Sequence, residues 1–198
     1  MGILKELIEN IFEESINVKK RFLYDQTQIL EASVKALAAC LRSGGKLMIF
    51  GNGGSAADAQ HLAAEFVNRY LLERPPLAAM ALTTDSSILT AVGNDYDFSE
   101  IFEKQLRALG KRGDVALGIS TSGSSLNVIK GLKMAKSMGL VTIGLGGAEN
   151  SAMKEYCDFY LAIYGSITPR IQETQILVEH ILVELVDQEL FGGQNKTP

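Results

Sequence analysis

At 198 residues, the chain has the length of one ordinary domain, able to bury a core without disulfide or metal staples. Apolar residues at 46% and charged residues at 21% exclude a disordered or fibrous chain. A formal net charge of -4 with no basic cluster argues against nucleic acid as a ligand.

The opening run Met1-Gly2-Ile3-Leu4-Lys5-Glu6 brings an acid early and lacks the apolar stretch of a secretory signal. Glu6 also spoils a myristoylation motif. No apolar run approaches the roughly 20 residues that span a bilayer, so a soluble, cytoplasmic protein without a membrane partner is expected. Cys40 and Cys157 stand far apart, outside any C-x-x-C spacing, which fits a reducing compartment and two thiols packed as small apolar groups.

From residue 4 to 42 apolar residues recur at three- and four-residue steps (Leu7, Ile11, Ile16, Phe22, then Ile29, Leu30, Val34, Leu37, Leu41). That pattern predicts two amphipathic helices with a break at 25–27, and Gly44 and Gly45 end the second. Short apolar runs at 46–50, 77–82, 114–119, 140–145 and 159–163 then alternate with helical patterns at 55–69, 86–92, 98–109, 125–138, 151–156 and 169–191. Most of the short runs are apolar on both parities, as buried parallel strands are. The fold class expected is α/β: a three-layer α/β/α doubly wound sandwich with a five-stranded parallel sheet and an N-terminal helical pair. No repeat or linker divides the chain, so residues 1–198 read as a single domain with a flexible polar tail at 192–198. The leading helices, 3–43, lie outside a sheet already covered and need a partner surface, for which the same pair in another subunit serves.

Two loops carry the chemistry of anion binding. The first strand runs into Gly51-Asn52-Gly53-Gly54-Ser55, which opens a helix. Glycines let backbone approach a ligand, and a helix N-terminus offers unpaired N–H groups to an anion. The spacing Gly-x-Gly-Gly is not the dinucleotide fingerprint, and a tight strand-to-helix turn would look the same. The third strand ends in Ser120-Thr121-Ser122-Gly123-Ser124-Ser125, again before a helix. Capping accounts for one of these serines, not the run, so a neutral, donor-dense phosphate site is expected at the carboxyl ends of parallel strands.

The chain has two histidines, His61 and His180. His61 and Glu65 are spaced i, i+4, which suits two ligands of one metal, an oriented acid/base pair, or an ordinary exposed helical pair. Gln172 and His180 are polar positions on the otherwise apolar last helix, where buried polar groups have partners.

Taken together, Gly51-Asn52-Gly53-Gly54-Ser55 with His61 and Glu65, Asn94-Asp95, Ser120-Thr121-Ser122 with Ser125, and Arg170-Ile171-Gln172-Glu173 with His180 resemble the phosphoheptose isomerases of the sugar isomerase (SIS) fold, over essentially the whole chain. The resemblance implies interconversion of sedoheptulose 7-phosphate and D-glycero-D-manno-heptose 7-phosphate by enediol-type proton transfer. That is the first step towards ADP-heptose and the heptose of lipopolysaccharide or glycoprotein.

It also implies Glu65 and His180 as the acid/base pair. Zinc, one per subunit, is implied on His61, Glu65, Gln172 and His180. Substrate contacts are implied for Asn52, Gly53, Gly54, Ser55, Glu65, Arg69, Asn94, Asp95, Ser120, Thr121, Ser122, Ser125 and Gln172, in a homotetramer. Glu65 suits the base that moves the carbon-bound proton. His180 suits ring opening or protonation of the carbonyl oxygen, although a residue holding zinc is not free to shuttle a proton unless a bound water takes part or a ligand detaches.

Helix geometry adds a further expectation: eight residues separate Gln172 from His180, about 12 Å of rise with directions some 80° apart. One copy of the helix does not easily bring both to one ion, which places the site between subunits. Three rival readings share the fold. An adaptor branch that associates with the bacterial replication initiator carries a different residue at the position of His180. A sugar-phosphate sensor would come with a DNA-binding segment that this chain lacks. The third rival is an isomerase of another sugar phosphate. Gln175 departs from the family, in which histidine is common at that position.

Overall fold

The computed structural model describes residues 2–147 and 151–192. Its elements, in chain order, are α1 (Ile3–Arg42), β1 (Leu47–Gly51), α2 (Gly54–Val67), β2 (Ala79–Ala81), α3 (Ser86–Asp95), α4 (Ile101–Leu109), β3 (Val115–Ser120), α5 (Leu126–Ser137), β4 (Val141–Gly147), β5 (Phe159–Ile163) and α6 (Thr168–Phe191). Short 3-10 turns cover Phe98–Glu100 and Ala152–Tyr156. The five strands form one all-parallel sheet of order β2-β1-β3-β4-β5, the doubly wound arrangement expected.

Alternation along each strand divides the core in two. Leu47 and Ile49 of β1 turn towards α1, α2 and α6, together with Leu117, Ile143 and Leu161. Met48 and Phe50 turn to the other face, against Phe102 and Leu106 of α4 and Val128 and Leu132 of α5. Each such fully buried apolar side chain contributes about 1.5–3 kcal/mol relative to exposure.

The helical pair expected at the N-terminus is instead one continuous helix of 40 residues. Asp25-Gln26-Thr27 contains neither glycine nor proline, so nothing in the backbone requires a break. Gln26 is buried, and its Oε1 accepts from the Ala162 N–H of β5 at 3.2 Å, while the Thr27 hydroxyl donates back to the Leu23 carbonyl. The polar run reads as a turn, but its central residue, Gln26, serves as a buried anchor between two exposed neighbours. The 151–156 segment is a 3-10 turn rather than an α-helix, and the strand expected at 77–82 shortens to three residues at the sheet edge. Apart from Gly192, the expected tail lies outside the described residues.

Both thiols are free, Cys40 buried and Cys157 partly so. Burial pushes the first up to about 11 and the second to about 12, which keeps both protonated and unreactive at neutral pH. No helix among the described residues is long and apolar enough to cross a membrane.

Candidate active site

β1 and β3 are neighbours, yet the helices that follow them lie on opposite faces: α2 packs in the core cluster shared with α1 and α6, and α5 in that shared with α4. The two loops therefore diverge and leave a crevice at the carboxyl edge, where open α/β sheets bind ligands. Gly51 makes the divergence possible. A Cβ there would stand 2.7 Å from the Ser55 Cβ and 2.8 Å from the Ile119 carbonyl oxygen, so any side chain would push the first loop off β3. Gly53 turns the chain with φ +55, a conformation that favours glycine. Gly51→Ala is expected to lower stability by about 1–3 kcal/mol and to weaken phosphate binding, read by thermal melting and by titration with inorganic phosphate.

The loops are tied to each other by a reciprocal amide pair. Asn52 Nδ2 donates to Asn127 Oδ1 and Asn127 Nδ2 donates to Asn52 Oδ1, each at 2.8 Å. In the second loop Ser120 Oγ lies 3.0 Å from Ser125 Oγ and 3.4 Å from Ser122 Oγ, and Ser124 Oγ donates to Ser122 Oγ at 2.9 Å. Ser125 occupies the N-cap position of α5, but its hydroxyl caps no backbone N–H. Nor does any side chain cap α2, whose N-cap is Gly53. Two helices of 14 and 12 residues thus start without side-chain caps on either side of a ring of hydroxyls. No lysine or arginine occurs in residues 51–55 or 120–125, so an anion here would be met by helix dipoles, N–H groups and hydroxyls.

Two turns along α2 stands the second group. His61 Nε2 lies 3.0 Å from His180 Nε2, with the rings edge to face at 5.3 Å between centroids, and 3.8 Å from Glu65 Oε1. Tyr70 stacks on His180 at 5.4 Å. Two nitrogens facing each other at this distance cannot both carry hydrogen: one donates and the other accepts, or both lone pairs hold a cation. The donor chemistry of His61, His180 and Glu65 suits zinc, which takes imidazole nitrogen and carboxylate oxygen. Among the described residues no three His, Cys, Asp or Glu side chains close around one point as a complete metal centre.

The last helix delivers its polar residues to two places. Gln172 reaches the glycine loop, where a Gly54 Cβ would lie 2.8 Å from Gln172 Nε2, while His180 meets His61. Within this chain the two side chains thus meet different partners, Gln172 the glycine loop and His180 the His61 ring. Three other expected residues stay apart. Arg69 pairs with Glu73 at 3.3 Å on the exposed side, and Asn94 donates to Asp95 at 2.8 Å at the exposed end of α3, a helix with no buried residue.

Gln172 and His180 are only partly buried; the fully buried polar residues of α6 are Thr174, Gln175 and Glu179. Among the described residues, both Glu179 carboxylate oxygens and Gln175 Oε1 lack partners. Burial, reinforced by the Asp58 carboxylate, raises the Glu179 carboxyl to about 9, so it is protonated at neutral pH. Asp58 is itself raised by burial, with His61 pulling it back down. Sequence reasoning missed Tyr70, Asn127 and Glu179, since no motif marks them; only a charged residue among the apolar positions of α6 hinted at the last.

The SIS domain family model matches residues 11–147. A phosphoheptose isomerase of Thermodesulfovibrio yellowstonii is 49% identical over 188 residues, 95% of this chain and 94% of its own length. This chain belongs to the phosphoheptose isomerase family. Among solved structures, the phosphoheptose isomerase of Neisseria gonorrhoeae superposes with a TM-score of 0.87 at 41% identity, covering 93% of this chain and 99% of its own. That of Francisella tularensis gives 0.89 at 37% identity, covering 95% and 100%.

Proposed function

We propose that the chain interconverts sedoheptulose 7-phosphate and D-glycero-D-manno-heptose 7-phosphate, the first step towards ADP-heptose and heptose-containing lipopolysaccharide. The observation that carries this reading is the His61–His180–Glu65 group set two turns along α2 from the hydroxyl-lined loops. Ser55 and His61 are six residues apart, about 9 Å of rise, and an extended seven-carbon chain with bonds of about 1.5 Å reaches a similar length. The helix thus acts as a ruler between phosphate and carbonyl.

In this reading Ser55, Ser120, Thr121, Ser122 and Ser125 hold the phosphate with the first-turn N–H groups of α2 and α5, and Asn52 holds the loops together. Gln172, beside Gly54, contacts the middle of the sugar. Glu65 takes the proton from the carbon next to the carbonyl and returns it to the neighbouring carbon. His180 gives a proton to the carbonyl oxygen and takes back the one released by the neighbouring hydroxyl as that carbon becomes the new carbonyl, and His61 fixes the His180 ring. Zinc would be held by His61, His180 and Glu65 and would supply electrophilic stabilisation of the enediol oxygens; with the metal bound, Glu65 and His180 would move protons through a bound water or after detaching from the metal. In that arrangement His61, Glu65 and His180 all come from one chain, and Gln172, beside Gly54, serves the sugar rather than the metal.

A homotetramer is part of the proposal. Ile3, Leu4, Leu7, Ile8, Ile11 and Phe12 of α1 are all exposed, Ile3 by 79% and Phe12 by 65%. Further along, Ile16 and Leu23 form an apolar groove with Leu177 and Ile181 of α6. Such a surface calls for cover, and a second copy supplies it.

The deciding experiment is incubation with sedoheptulose 7-phosphate, with and without a chelator. An aldose product is expected, and its loss on chelation alone establishes metal dependence. No aldose under either condition would overturn the assignment.

A further inference from the structure

His61 and Glu65 belong to α2 and His180 to α6, so the imidazole contact holds only while the two helices keep one register. Apolar packing is non-directional and does not set that register to a fraction of an ångström. A directional connection lies just beyond the site. Arg74, in the segment after α2, has a side chain only 1% exposed, and Asp187 of α6 one only 3% exposed. Arg74 Nε donates to Asp187 Oδ1 at 2.9 Å. Its Nη2 donates to the Glu65 carbonyl at 2.9 Å and its Nη1 to the Phe66 carbonyl at 2.6 Å, with further contacts to the carbonyls of Asn68 and Pro75 at 3.3 Å.

The Glu65 and Phe66 carbonyls are among the last of α2, which have no partner within their own helix. Asp187 follows His180 by seven residues, two turns, and so lies on the same face of α6. One guanidinium therefore binds the backbone of the candidate base on one side and the helix of the candidate acid on the other. Only a planar fork with donors pointing in several directions can do this; an ammonium group cannot.

We propose that Arg74, held by Asp187, is a positioning residue: it fixes the register of α2 against α6 in which Glu65 and His61 face His180. The inference rests on the assignment of those three residues to the reaction. Neither Arg74 nor Asp187 touches the serine and glycine loops, so substrate binding through phosphate does not depend on the clamp.

Removing Arg74 alone strands a buried carboxylate and risks unfolding. The test variant is therefore the double substitution Arg74→Met with Asp187→Leu, which replaces both charges by apolar groups of similar bulk, and Arg74→Lys is its companion. Folding is checked by circular dichroism and thermal melting. With only two histidines in the chain and 5.3 Å between their rings, ring-labelled histidine gives one unambiguous cross-relaxation signal between His61 and His180.

In the folded double variant this signal is expected to vanish and kcat to fall by about tenfold or more, with KM for sedoheptulose 7-phosphate within about twofold. Arg74→Lys, which keeps the charge but not the fork, is expected to lose the signal as well. Retention of the ring contact in both variants, or an unchanged kcat, would overturn the clamp. Should the unaltered protein not turn over sedoheptulose 7-phosphate, the functional assignment fails, while the ring signal alone still decides for or against the clamp.

Discussion

Glu65→Gln is expected to lower kcat by about 10²–10⁴-fold while leaving KM within about twofold. Glutamine preserves the length and hydrogen-bonding reach of the side chain, so the substrate keeps its place in the serine loops, but the amide cannot accept a carbon-bound proton. The carboxylate is 22% exposed and 3.8 Å from His61 Nε2, close enough to serve the same substrate atoms as the imidazole pair. Steady-state turnover and incorporation of solvent deuterium into the sugar give the two readouts, and both should fall together. Bound zinc should be assayed in the same samples: turnover lost with the metal retained assigns Glu65 to proton transfer. A kcat within tenfold of the original protein's removes it from that role.

The second large effect concerns stability. Glu179 starts from an ordinary value of 4.5 and is pushed to about 9 by burial first and the Asp58 carboxylate second. Between about pH 4.5 and 9 the unfolded chain carries this group ionised while the folded chain keeps its proton. The folded state therefore binds the extra proton, and stability falls as pH rises, by about 1.4 kcal/mol per pH unit from this group. Below pH 4.5 the contribution is fully present; above about 9 it has been lost.

Glu179→Gln removes the ionisation and retains an N–H donor near the unpartnered Gln175 Oε1. The variant should match the original protein at pH 5 and exceed it by a few kcal/mol at pH 8, measured by urea unfolding across the pH range. Equal slopes in the two proteins would show that Glu179 is ionised in the fold.

Much of this molecule could be read from residue pattern, because each legible feature is local. Runs apolar on both parities marked strands covered on two faces, and all five appear. The glycine and serine loops were recognisable because helix starts and close backbone approaches impose residue types within a few positions. His61 and Glu65 stood out by helical spacing, and His180 as the chain's other histidine. What escaped depends on contacts distant in sequence. Nothing near Gln26 announces that its amide will meet the Ala162 N–H on the far edge strand, so a polar triplet read as a break in α1. Arg74 precedes two prolines in a segment with no motif, and nothing near it in sequence signals that Asp187 and the end of α2 close over it. Arg69, Asn94 and Asp95 came from family resemblance alone, and within one chain they face solvent.

The 40-residue length of α1 has a consequence for how the protein behaves on dilution. Its first buried residue is Ser15, and although Arg170 of α6 donates to the Ile11 carbonyl at 2.8 Å, the first three turns leave leucine, isoleucine and phenylalanine facing water. A helical stub of that size does not hold its own shape in water. If the neighbour that covers it is another copy, the order of those turns is set by an encounter between molecules, and it belongs to the solution's concentration as much as to the fold.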